Sequence, residues 1–103
     1  MSELFTRFDS VFFEKTRLTI MTLLFREECL SYKNLKDRLE LSDGALYSHL
    51  EKLREGGYVE RNKEIVENTV ASQYRLSKNG KQTYREYIDL LESLIRAGST
   101  RKD

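Results

Sequence analysis

Leu30-Ser-Tyr-Lys-Asn-Leu-Lys-Asp-Arg-Leu-Glu-Leu-Ser-Asp-Gly-Ala-Leu-Tyr-Ser-His-Leu-Glu-Lys-Leu-Arg-Glu-Gly-Gly-Tyr-Val59 is the stretch that decides how this chain folds. Ser31 carries a hydroxyl that can accept from an unpaired backbone N–H, so it N-caps a helix ending near Leu39. Ser42 caps a second helix in the same way, and Asp43 in its first turn suits the positive end of the helix dipole. Only Glu40-Leu-Ser42 separates the two helices. Gly56 and Gly57 stop the second one, because glycine enters the left-handed conformation without steric cost. Two helices joined by so tight a turn, followed at once by a strand at Tyr58 and Val59, have the layout of a helix-turn-helix.

The flanks extend this pattern. Upstream, Leu4, Phe5, Phe8 and Phe12 fall at helical spacing, interrupted by the cap-type residues Asp9 and Ser10. Thr16–Phe25 reads as a buried helix with Leu18, Met21, Leu24 and Phe25 on one side, closed by Glu27, Glu28 and Cys29. Downstream, Tyr58, Val59, Arg61, Ile65 and Val66, then Val70 and Gln73–Leu76, read as two strands. The loop between them, Glu67-Asn-Thr69, has no strong two-residue hairpin signal, so its turn type stays open. Ser77 caps a last helix running to about Ala97 before Gly98, with Tyr84, Tyr87, Ile88, Leu91, Leu94 and Ile95 on its apolar side. Ser99–Asp103 is expected to fray.

On the second helix of the central stretch, Leu46, Leu50 and Leu53 share a narrow arc and face the core. Gly44, Tyr47, Ser48 and Glu51 point the other way, with Lys52 at one margin. Small residues near the start allow close approach to base edges, the hydroxyls of Tyr47 and Ser48 suit bases or phosphates, and Lys52 suits a phosphate. An ordinary solvated face explains the same residues. Tyr32 and Lys33 open the preceding helix, where backbone N–H groups and a lysine can clamp a phosphate, with Lys36 one turn later. Arg61, Lys63 and Arg75 could follow the DNA backbone from the hairpin, although Glu60, Glu64 and Glu67 are interleaved with them. His49 reads as a half-buried packing residue with one nitrogen satisfied locally.

Composition sets the outer limits. The chain has 103 residues, enough for one domain with a modest core. No apolar run approaches the roughly 20 residues that cross a bilayer, and the N-terminus lacks a basic-then-apolar leader, so a cytoplasmic protein is expected. One cysteine and one histidine exclude a disulfide framework and a cluster of soft metal ligands. Cys29 precedes a helix start, where a thiol pKa can fall, but it reads first as a small structural hydrophobe. The net charge is only +1, whereas phosphate contacts usually demand a more basic chain. No nucleophile–base pair, phosphate loop or metal set can be assembled, so no enzyme is expected.

The sequence resembles the winged helix-turn-helix transcription regulators of the MarR/ArsR broad class, in particular small stand-alone prokaryotic and archaeal members. The residues that carry the likeness are Arg17–Leu24, Leu35–Leu53, Gly56-Gly-Tyr-Val59 and Tyr74–Gly80. The resemblance implies a homodimer whose first and last helices pack across a two-fold axis. It also implies two recognition helices on a pseudo-palindromic site, with Ser42, Asp43, Gly44, Tyr47 and Ser48 matching the positions that meet the major groove. Two departures are visible. The cysteine pair of the metal-sensing members is missing, and the wing tip is Glu67-Asn-Thr-Val-Ala71 rather than basic or proline-bearing.

The expected fold is therefore mainly α within an α+β plan: a winged helix-turn-helix with a two-stranded β-hairpin wing and terminal dimerisation helices. Residues 1–103 form one domain, with a dimerisation segment at 1–15, the core at 16–76, a dimerisation helix at 77–98 and a flexible tail at 99–103. The terminal apolar stripes exceed what one small core covers, so Leu4, Phe5, Phe8, Phe12, Tyr87, Leu91, Leu94 and Ile95 are assigned to a dimer interface. Expected partners are double-stranded DNA, met by the helix at 43–55, and a second copy of the chain, with no cofactor and no membrane. A small-molecule effector is unknown. The alternative is a winged-helix protein-interaction module that does not bind DNA.

Overall fold

A computed structural model describes residues 6–99 of the chain. Helix α1 spans Lys15–Glu27, strand β1 Leu30–Ser31, α2 Tyr32–Leu39 and α3 Asp43–Glu55. Strands β2 (Val59–Val66) and β3 (Thr69–Leu76) follow, and α4 runs over Lys78–Ser99. The long hairpin and the long last helix make the molecule extended, 61 × 25 × 22 Å.

Local chemistry accounts for most boundaries. Glu14 caps α1 by accepting from the Arg17 N–H at 2.9 Å. Ser31 and Ser42 cap α2 and α3, accepting from Asn34 N and Ala45 N. At the end of α3, Tyr58 N donates to Leu53 O and Gly57 N to Arg54 O, the two bonds of a Schellman stop. Only Gly57 uses the left-handed region, at φ 84°; Gly56 remains right-handed.

Three features differ from the sequence reading. The sheet has three antiparallel strands in the order β1-β3-β2, not two, because Leu30 and Ser31 pair with Tyr74 and Gln73. Two residues are too few to leave a period-two signal. The hairpin closes on the two-residue turn Glu67–Asn68, both at positive φ (50° and 65°), which is the type I′ combination. Helix α4 continues through Gly98 to Ser99, since Gly98 does not adopt the left-handed stop.

The core is formed by Phe12, Ile20, Met21, Leu24, Leu35, Leu46, Leu50, Leu53 and Tyr74, all fully buried. On α1 the buried arc is Arg17, Ile20, Met21 and Leu24. Phe25, read from the sequence as part of it, lies at the edge, 4.8 Å from the Tyr84 ring and with the Arg85 guanidinium 5.8 Å from its ring centre. Phe8 and Phe12 stack on each other and meet Tyr87 edge-on, inside the chain's own core. Asp9 locks that segment, accepting from Phe12 N and from the Tyr58 hydroxyl. Burial, then the Asp9 carboxylate, pushes the Tyr58 phenol up to about 12. Helix α4 begins against the same residue. A Cβ on Gly80 would lie 2.0 Å from the Tyr58 carbonyl oxygen, so only glycine lets α4 approach this closely.

Candidate functional site

Three buried leucines fix the presentation of α3. With Leu46, Leu50 and Leu53 wholly inside, the opposite side of the helix must face solvent. Ser42, Asp43, Gly44, Tyr47, Ser48 and Lys52 are all exposed there, Tyr47 by 52%. Gly44 has no atom within 4 Å of where a Cβ would stand, so the first turn is open to a partner. Glu51 departs from the sequence reading. It is tucked at the margin, accepting two bonds from Arg54 and one from Arg61, and Arg54 first holds its carboxyl below the usual carboxylate range.

Helix α2 braces the start of α3. Tyr32 Oη donates to the Asp43 carbonyl at 3.0 Å and to Asp43 Oδ1 at 3.3 Å, while Lys36 Nζ lies 3.3 Å from the same Oδ1. The one acidic group at the mouth of the face is thus neutralised by a neighbour. Burial first and Asp43 second raise the Tyr32 phenol, keeping it a donor. Lys33 is paired with Asp37 at 3.3 Å in a solvated contact of the kind that contributes little to stability.

The hairpin's basic residues do not gather. Register places Arg61, Lys63 and Ile65 on one face, opposite Tyr74, Ser72 and Val70. Arg75 lies on the other face, opposite Glu60. Arg61 is drawn against α3 by Glu51, and Lys63 remains exposed further out. Sequence reasoning missed the bracing lysine's partner, Asp43, and the apolar hairpin end. Ile65 is 78% exposed and Val70 64%, and a type I′ register would have shown them directly opposite each other beyond the core.

His49 is half-buried with one nitrogen satisfied, as read from the sequence, but its partner comes from α1. Arg17 Nη1 stands 3.0 Å from His49 Nδ1. Burial is the first cause that lowers the imidazole pKa from its ordinary 6.5. Cys29 is half-buried, its thiol donating to Gln73 Oε1 at 3.5 Å. Among the described residues no group of three or more His, Cys, Asp or Glu converges for a metal ion.

Of the residues assigned to a dimer interface, Leu4 and Phe5 lie outside the described residues. Phe8 and Phe12 are spent on the chain's own core, which corrects their assignment as surplus. Tyr87 and Leu94 pack partly against that core, Leu91 is half-buried outside it, and Ile95 is 65% exposed. No helix among the described residues is long and apolar enough to cross a membrane.

Comparison with known proteins gives the same frame. Residues 16–95 match the family model described as a winged helix DNA-binding domain. The uncharacterized protein MJ0432 of Methanocaldococcus jannaschii is 33% identical over 78 residues, covering 76% of this chain and 85% of that one. A transcriptional regulator homologue from Pyrococcus horikoshii superposes with a TM-score of 0.81 at 23% identity, over 94% of this chain and 97% of that one. The transcriptional regulator HlyU of Vibrio vulnificus is 36% identical, with a TM-score of 0.59 over 82% and 79% of the two chains.

Proposed function

Because this chain belongs to the winged helix DNA-binding domain family, we propose that it is a homodimeric transcriptional regulator that binds specific duplex sequences through α3. The outward face of that helix carries the proposal: an open first turn, then Tyr47 and Ser48, held by three buried leucines. In this reading Ser42, Asp43, Gly44, Tyr47 and Ser48 meet base edges, while Tyr32, Lys33 and Lys52 hold the phosphates on either side. Lys63 reaches the backbone from the hairpin. Arg61 supports α3 through Glu51, and Arg75 lies on the opposite face of the hairpin. The whole chain acts as one winged-helix domain. The second copy docks along α4, around Leu91 and Ile95, which stand one turn apart and outside the core.

A second reading, a protein-interaction module that does not bind DNA, is favoured by one observation: the exposed apolar pair Ile65 and Val70 at the hairpin end. Salt dependence separates the two. If Lys33, Lys52 and Lys63 of each protomer replace counterions on phosphates, log affinity for random duplex falls against log salt with a slope of about −5. No measurable binding at low salt would favour the interaction module.

A further inference from the structure

Arg17 is a buried guanidinium, 8% exposed, whose three nitrogens reach three separate points. Nε donates to Val11 O at 2.7 Å, Nη2 to Ser10 O at 3.1 Å, and Nη1 to His49 Nδ1 at 3.0 Å. One side chain of α1 therefore ties the segment before that helix to α3, the helix with the exposed face. The chemistry of the third bond is conditional. Arginine has five donors, no acceptor and a permanent charge, so Nδ1 must present a lone pair and the imidazole proton must sit on Nε2. A second proton on His49 would turn this acceptor into a donor and set two cations against each other.

The surroundings offer the imidazolium somewhere to go. Glu14 Oε1 lies 3.8 Å from His49 Nδ1 and 3.9 Å from Arg17 Nη1. Glu14 is also the cap of α1, so a change of partner there acts on the helix start. Lys52, on α3 itself, adds positive charge near the ring. The charged group of the preceding segment, Asp9, is engaged elsewhere, by Phe12 N and the Tyr58 hydroxyl.

We infer that Arg17 and His49 form a proton-operated latch, closed on residues 10–14 and α3 while His49 is neutral and released when His49 is protonated. Burial, Arg17 and Lys52 lower the folded-state pKa below 6.5, and Glu14 opposes them. The neutral form is thus the one the fold prefers. The stability from the latch is fully present above about pH 6.5 and is lost as pH falls through the lower folded-state value. Neither the latch nor its test depends on what α3 binds.

With one histidine in the chain, the imidazole signals belong to His49 alone. The test is a nuclear magnetic resonance titration of the intact protein from pH 8 to 5. The expected result is an imidazole midpoint below 6.5, with the backbone amides of residues 10–14 and the Arg17 Nε–H moving at that same midpoint. Hydrogen exchange in residues 10–14, corrected for its intrinsic pH dependence, should rise by about tenfold for each unit of depression of the midpoint. His49→Asn places a non-titrating acceptor near Nδ1, so the same amides should stay still across the range. Arg17→Gln should return the imidazole midpoint toward 6.5. Amides that move equally in His49→Asn, or that stay still while the wild-type imidazole titrates, would overturn the latch. If Arg17→Gln does not fold, the wild-type and His49→Asn titrations decide the matter alone.

Discussion

Tyr47 and Ser48 stand on the solvent side of α3 and outside the core, where Leu46 and Leu50 are completely enclosed. Their removal is therefore a clean probe of recognition. Tyr47→Ala or Ser48→Ala should weaken binding to a preferred duplex by about 1–3 kcal/mol each, the usual scale of a base contact. Stability should stay within about 0.5 kcal/mol, as for other surface changes. Fluorescence-anisotropy titrations giving wild-type affinity for both variants would remove these residues from the interface. This face was legible in the sequence because a leucine arc at helical spacing fixes its opposite side. The partners of the charged residues were not legible. Arg17 falls at helical spacing with Ile20, Met21 and Leu24, so its side of α1 could be read, but its contacts with Val11, Ser10 and His49 arise only once α1 and α3 are packed.

At the scale of elements, caps and stops carried the sequence reading furthest. Ser31, Ser42 and Gly57 act through bonds within a few residues, so the local sequence contains all the information they need. Strand β1 depends instead on β3, more than forty residues later, and had no local signature. The hairpin turn is a case where pairing overrides propensity. Glu67 and Asn68 both occupy positive φ, a conformation costing a non-glycine residue roughly 1–2 kcal/mol, because the two-residue connection matches the twist of β2 and β3. Replacing them by the preferred pair, Glu67→Asn with Asn68→Gly, should stabilise the hairpin by about 1 kcal/mol. Slower amide exchange along Val66 to Ala71 would register it; exchange that is unchanged or faster would show that the turn is not strained.

For the molecule as a whole, the terminal apolar stripes divide between two uses. Phe8 and Phe12 close the chain's own core with Tyr84 and Tyr87, so the described part of the N-terminal stripe is no free surface. That outcome could not be read from spacing, since a helical apolar stripe looks the same whether its partner is the same chain or another. What remains is the far part of α4. Leu91→Glu with Ile95→Glu changes only residues outside the core, so it should give folded monomers in sedimentation velocity where the parent sediments as a dimer. A parent that is itself monomeric, or a dimer that survives the double change, would remove α4 from the interface.

For the proposed regulator the near-neutral charge would make a dimer more than an accessory, because one protomer would offer few phosphate contacts and two would double them. The most direct test of a two-fold regulator reading DNA with α3 is selection of bound duplexes from a random pool by the wild-type protein. The predicted result is an enriched two-fold symmetric sequence whose half-sites are centred about 10 base pairs apart, matching recognition helices about 34 Å apart. A pool that stays random after repeated selection, or one enriched for a single unsymmetrical half-site, would contradict it.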